Sequence, residues 1–176
     1  MTPDKTSLTI VAALTMALWA GSAAAQQLPD PDCKLPANLR LATTSTVVYE
    51  CGYGIKGDPN CNKIVVKVLP VAGGGCTAEL PYGKLIVYTQ GKVRKVTWKL
   101  SDTSGAYVFG DPNGIDIANP GGIYHTPVRD SSKKKFSWKT TGKATSGLGL
   151  AHCPFVYPAG QSTPCQAVDP RIVNSE

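Results

Sequence analysis

Six cysteines, Cys33, Cys51, Cys61, Cys76, Cys153 and Cys165, all follow an N-terminal stretch built like an export leader. An even count in an exported chain reads as three disulfides. The spacing leaves their connectivity open, with a preference for the local pairs Cys51–Cys76 and Cys153–Cys165. The leader has three parts. Residues 1–7 are short and polar, with Lys5 and the free amine outweighing Asp4; residues 8–20 are almost unbroken apolar sequence; residues 21–25 are small. Ala23 and Ala25 stand where signal peptidase requires small side chains, which places cleavage near Ala25. The apolar run falls short of the ~20 residues of a spanning helix. No cysteine follows the small residues to carry a lipid, and no Arg-Arg pair precedes the run, so a Sec-type route to the periplasm or the medium is expected. No later run is long enough for a membrane span.

Beyond the leader, residues 26–45 are rich in Pro, Asp, Asn and Thr and read as an extended arm, or a short edge strand, tethered by Cys33. From residue 46 onward, short β-branched and aromatic runs alternate with turn signals. Runs at 46–51, 63–69 and 85–89 are broken by Asp58-Pro59, Pro70 with Gly73-Gly74-Gly75, and Gln90-Gly91. Further short strands are expected at 107–109, 114–117 and 153–157. No window has a helical period, so helices should be few. The pattern predicts an all-β chain: a single antiparallel β-sandwich of immunoglobulin-like or cupredoxin-like type over residues 46–168. A partly open barrel is the runner-up, and residues 169–176 read as a C-terminal tail.

Two strands are the most legible. Val96, Trp98 and Leu100 share one parity with Lys95, Thr97 and Lys99 on the other; Phe136 and Trp138 oppose Lys135, Ser137 and Lys139. Because side chains alternate along a strand, each should bury an aromatic face and turn a basic one to water. If the two strands are neighbours, they form a patch edged by Lys133 and Lys134, with Tyr88 or Tyr107 as an aromatic ledge. The chain carries 18 Lys and Arg against 12 Asp and Glu, a formal net charge of +6. Such a chain is drawn to acidic polymers or acidic proteins. An exported protein rarely meets nucleic acid, so anionic envelope polymers, lipid head groups or an acidic protein rank ahead of it as partners.

Catalytic and metal chemistry find little purchase. A blue-copper site needs two His and a Cys thiolate, commonly with an axial Met. His125, His152 and Cys153 supply the types, but Met1 and Met16 both precede the cleavage point. No Cys-x2-Cys pair suggests zinc. His125, Asp130 and Ser131 are close in sequence without a Gly-x-Ser-x-Gly elbow, and Gly73-Gly74-Gly75 lacks the Lys-Ser/Thr of a phosphate loop. A carboxylate pair meeting from distant strands is not marked by any motif. No cofactor is expected, and a non-catalytic binding or structural protein of the bacterial envelope is. Its rivals are a protein-binding module, such as an enzyme inhibitor or adhesin, and a copper-binding cupredoxin relative.

The order of several segments adds a resemblance. Lys95-Val96-Thr97-Trp98-Lys99-Leu100, Tyr107-Val108-Phe109 with Asn113-Gly114-Ile115, Phe136-Ser137-Trp138, and Cys165 followed by Asp169-Pro170-Arg171-Ile172-Val173-Asn174 cover roughly the C-terminal half. Together they resemble a group of small exported proteobacterial proteins of uncharacterised function, which pair a V-T-W-x-L strand with a C…D-P-x-I-V-N end. The group's Tyr-rich penultimate strand is replaced here by residues 146–153. The resemblance implies a bacterial envelope setting and a β-sandwich, and brings no catalytic residues.

Overall fold

The computed structural model describes residues 33–42, 44–145 and 149–175. The leader read over residues 1–25 and the start of the arm lie outside them. The described chain is all-β, with one 3-10 turn at Ala37–Leu39. Its strands are β1 (Arg40–Leu41), β2 (Val48–Gly52), β3 (Ile64–Pro70), β4 (Cys76–Glu79) and β5 (Lys84–Tyr88). Then come β6 (Lys95–Leu100), β7 (Tyr107–Phe109), β8 (Ile115–Ile117), β9 (Tyr124–Arg129) and β10 (Lys135–Thr140). The last are β11 (Leu150–Pro154), β12 (Val156–Pro158), β13 (Gln166–Val168) and β14 (Arg171–Ser175).

Seven strands form a curled half-barrel sheet in the order β1-β13-β4-β3-β6-β10-β9. Five more form β2-β5-β14-β11-β8, and β7 with β12 makes a small ribbon. The sheets are mixed, which corrects the antiparallel expectation. β3 runs parallel to β6, β13 is parallel to β1 and β4, and β5 lies between parallel neighbours β2 and β14. The reason lies in what alternation encodes. Period 2 fixes which side chains are buried, but it is the same for either pairing direction. Direction follows from how the chain crosses: β5 leaves the sheet that holds β4, and β6 returns to it beside β3. Hairpins between consecutive strands would have forced antiparallel neighbours.

The two sheets share one core. Ile64, Val66, Val96, Trp98 and Phe136 come from the larger sheet; Leu85, Val87, Ile115 and Ile172 come from the smaller. Both indoles reach across. Trp98 Nε1 donates to the Tyr82 hydroxyl at 3.0 Å, and Trp138 Nε1 donates to the Ile115 carbonyl at 2.7 Å. Burial of an aromatic with its polar tip satisfied holds these strands inward side down. That orientation is what turns the alternate residues of β6 and β10 outward.

Two further expectations are corrected. Residues 171–175, read as tail, form β14 between β5 and β11, with Ile172 and Asn174 buried. Asn174 accepts a short hydrogen bond from the Tyr124 hydroxyl and donates to the Lys143 carbonyl at 3.1 Å, so the chain end is part of the core. The disulfides are Cys33–Cys153, Cys51–Cys61 and Cys76–Cys165, neither of the local pairs expected. Cys51–Cys61 closes the loop after β2, where buried Asp58 accepts from the backbone N–H of Asn62 and Lys63, each at 2.9 Å. With that partner, Cys51 cannot reach Cys76. Cys76 and Cys165 are joined instead where β4 and β13 lie side by side, and Cys33 ties the arm to β11. Three bridges fit an oxidising compartment, outside the cytoplasm.

Candidate functional site

β6 and β10 are antiparallel neighbours, and their register decides what the outer face looks like. Lys95 stands opposite Lys139, Thr97 opposite Ser137, and Lys99 opposite Lys135. On the inner side, Val96 and Trp98 face Trp138 and Phe136 in the same ladder. Two basic rows therefore flank Thr97, which is half-buried, and Ser137, which against expectation is buried, with its hydroxyl directed at the Val128 carbonyl of β9. The rows of charge are four residues apart along the strands, about 13 Å at ~3.3 Å per residue. His125 on β9 continues the Lys139 row, and Val65 on β3 continues the Lys99 row. Among the described residues, none of Lys95, Lys99, Lys135 and Lys139 has an ion-pair partner. Directly opposed like charges are destabilising, and this face carries two such pairs.

Lys133 and Lys134, expected together at the edge of this patch, separate. Lys134 turns away: its Nζ is 2.7 Å from Asp102 Oδ2 and donates to the Tyr107 carbonyl at 2.7 Å. The Lys134 ammonium, helped by Ser104, holds the Asp102 carboxyl well below the usual carboxylate range. Lys133 is exposed in the turn before β10, with a left-handed φ of 60°. Asp130 shapes that turn by accepting from the backbone N–H of Lys134 and Lys135 and from the Ser132 hydroxyl. Nor do Tyr88 and Tyr107 form the expected ledge. Tyr88 lies on β5 in the other sheet, its hydroxyl donating to Glu50, and Tyr107 belongs to the small ribbon.

The histidines are far from one another in role and place. His125 is exposed, with its Nδ1 2.8 Å from the Thr126 hydroxyl. His152 is fully buried on β11, its Nε2 3.2 Å from the Tyr82 hydroxyl. Cys153 is bonded to Cys33, so no thiolate is offered. The copper arrangement is thus contradicted by position: one His faces water, the other is sealed in the core, and the sulfur is committed. His125 and Asp130 fall at opposite ends of β9, which separates the acid from the base a triad would need.

One side chain without any sequence motif to mark it lies beside the basic rows. Thr97 N–H donates to the Cys61 carbonyl at 2.8 Å, which lays the exit of the Cys51–Cys61 loop alongside β6. A depression there is lined by Asn60, Asn62, Val93, Arg94, Lys95 and Thr97. The Arg94 guanidinium carbon sits 5.9 Å from the centre of the Tyr53 ring. The signal that could have found it is the pair Arg94-Lys95 at the opening of the Trp98 strand, combined with a short disulfide loop able to reach it.

No family model matches this chain, and no curated protein matches it. The functional reading rests on its own geometry.

Proposed function

We propose that this is an exported, non-catalytic binding protein of the bacterial envelope, whose outer β6–β10 face contacts an anionic polymer. The observation that carries the reading is the opposed pairing Lys95–Lys139 and Lys99–Lys135, with Asp130, in the turn before β10, near Lys135 at one end of the face. Arranged for stability alone, two central strands would place opposite charges across the ladder. Keeping four ammonium groups on one face, only Lys135 of them close to a carboxylate, costs stability and gains an attractive field for anions. The leader-like N-terminus and the three disulfides support an envelope setting, as does the resemblance to small exported proteobacterial proteins.

Replacing all four lysines with glutamine is expected to weaken binding to an anionic polysaccharide by at least about tenfold. Wild-type affinity should fall as salt rises, since exposed charges are screened within ~8–10 Å at physiological ionic strength. Titration at two salt concentrations checks both; binding indifferent to salt and to the four substitutions sinks the reading. A single Lys139→Glu change separates function from folding. It sets a carboxylate across the ladder from Lys95, so unfolding in urea should show about 0.2–1 kcal/mol of added stability while polymer affinity drops.

A second reading, a protein-binding module, has one observation in its favour. β2 is an edge strand of the five-stranded sheet, and its start exposes Val47 and Val48 at 54% and 50%. Such an edge is a template for strand addition. A protein partner retained at high salt, and lost on placing proline or lysine at Val48, would favour this reading.

A further inference from the structure

We infer that the depression at the start of β6 is a carboxylate-reading subsite for an acidic sugar, so that the polymer held by the basic face is a uronate-type polysaccharide. This rests on the proposal that the β6–β10 face binds an anionic polymer, and goes on to name the ligand. The key residue is Arg94. Its Nε is buried and has no hydrogen-bond partner. That nitrogen is closed to solvent, so a carboxylate is read end-on by the two outer Nη groups of the half-buried side chain, whose planar fork matches it in two parallel hydrogen bonds. The Tyr53 ring beside it limits the fork's freedom, so less order has to be imposed on binding.

The rest of the lining fits a sugar. The side chains of Asn60, Asn62 and Thr97 line the depression with amide and hydroxyl groups that have no partner among the described residues. An amide offers both donors and acceptors, which suits neighbouring ring hydroxyls. Lys95 joins the depression to the first basic row, giving one continuous track from Arg94 to Lys139 and on toward Lys99 and Lys135. The depression, about 380 Å³, lies within the ~300–1,000 Å³ range of small-molecule sites.

Other anionic chains fit less well. Single-stranded nucleic acid is held by successive aromatic platforms, whereas the residues between the lysines are the half-buried Thr97 and the buried Ser137, and both Trp98 and Trp138 point inward. An acidic peptide would gain most by adding a strand to a sheet edge, but β6 is enclosed by β3 and β10.

The test uses the purified disulfide-bonded protein with polygalacturonate, trigalacturonate and polyglutamate in parallel calorimetric titrations. The expected result is binding of the trimer as well as the polymer, with trimer affinity reduced about tenfold or more by Arg94→Lys, which keeps the charge and removes the fork. Asn62→Ala, at an exposed position, should also weaken the trimer and guards against a folding defect at Arg94. Polymer binding with no trimer binding, or a trimer affinity unchanged in both variants, overturns the subsite and leaves the basic face standing. Equal affinity for polyglutamate overturns the sugar assignment in favour of an acidic peptide. No binding of any of the three at low salt overturns the face itself.

Discussion

Replacing Cys33 and Cys153 together by alanine is expected to lower the unfolding free energy by about 4 kcal/mol. The two residues are 120 apart in sequence, the widest separation of the three bridges. Cross-linking so long a loop removes much of the unfolded chain's freedom, about 5 kcal/mol in the loop-entropy account, less where a second bridge shortens the effective loop. Cys76–Cys165, separated by 89, interleaves with it and does so. Cys51–Cys61 spans only 10 residues, and its removal should cost nearer ~3 kcal/mol by the same relation. The first bridge also positions its surroundings: next to it, the Lys34 backbone N–H donates to Asp116 Oδ2 at 2.7 Å. Urea unfolding of the two double variants, monitored by tryptophan fluorescence, ranks them. A larger loss on removing Cys51–Cys61 would contradict the loop argument.

The second large effect is acid sensitivity centred on His152. Trp98 Nε1–H donates to the Tyr82 oxygen, so the Tyr82 O–H is free to donate to His152 Nε2. The imidazole proton then sits on Nδ1, which is buried and completes no hydrogen bond of good geometry, while the Pro170 carbonyl beside the ring only partly offsets the cost of charging it. Burial, with the nearby Arg171 charge also opposing protonation, depresses the His152 pKa from 6.5 to about 3. The folded state keeps the ring neutral, while the unfolded chain takes up a proton below its ordinary pKa of 6.5. Stability is therefore full above about pH 6.5 and falls as the pH drops toward about 3. Each unit in that window costs up to ~1.4 kcal/mol, so moving from about pH 7 to about pH 4.5 should remove about 2–3 kcal/mol. Asp102, whose pKa is also lowered, contributes mainly below its unfolded value of 3.8 and leaves this window to His152. His152→Gln keeps an acceptor for Tyr82 and removes the titration, so its stability should be nearly flat over the same range. An unchanged slope in that variant would mean that other groups carry the acid response.

The most legible parts of the sequence are those where burial alone decides the pattern. Val96, Trp98, Phe136 and Trp138 announce the inner side of β6 and β10, and the lysines between them announce the outer side. Residues 107–109 and 115–117 are legible from their aromatic and β-branched runs and from the Asp111-Pro112-Asn113 turn. Strand order and direction are not, because they are set by partners distant in sequence: Ile64 beside Trp98, or Arg171 beside Lys84. β4 escapes notice because Cys76-Thr77-Ala78-Glu79 is short and has little β-forming character. β9 is hidden by Pro127 and by an irregular register against β10. Lys134 looks like its neighbours until Asp102, 32 residues away, claims it. The Arg94-Lys95 pair is visible in the sequence, but the depression beside Arg94 is not, since it depends on the Cys51–Cys61 pairing that spacing leaves open.

Lysine acetylation footprinting with and without polygalacturonate reads out whether an anionic polymer docks on the outer face of β6 and β10. Protection of Lys95, Lys99, Lys135 and Lys139, with Lys84 on β5 of the other sheet and Lys34 in the arm modified at the same rate in both samples, is the result expected. Protection spread evenly over all exposed lysines, or confined to residues off these two strands, would contradict it.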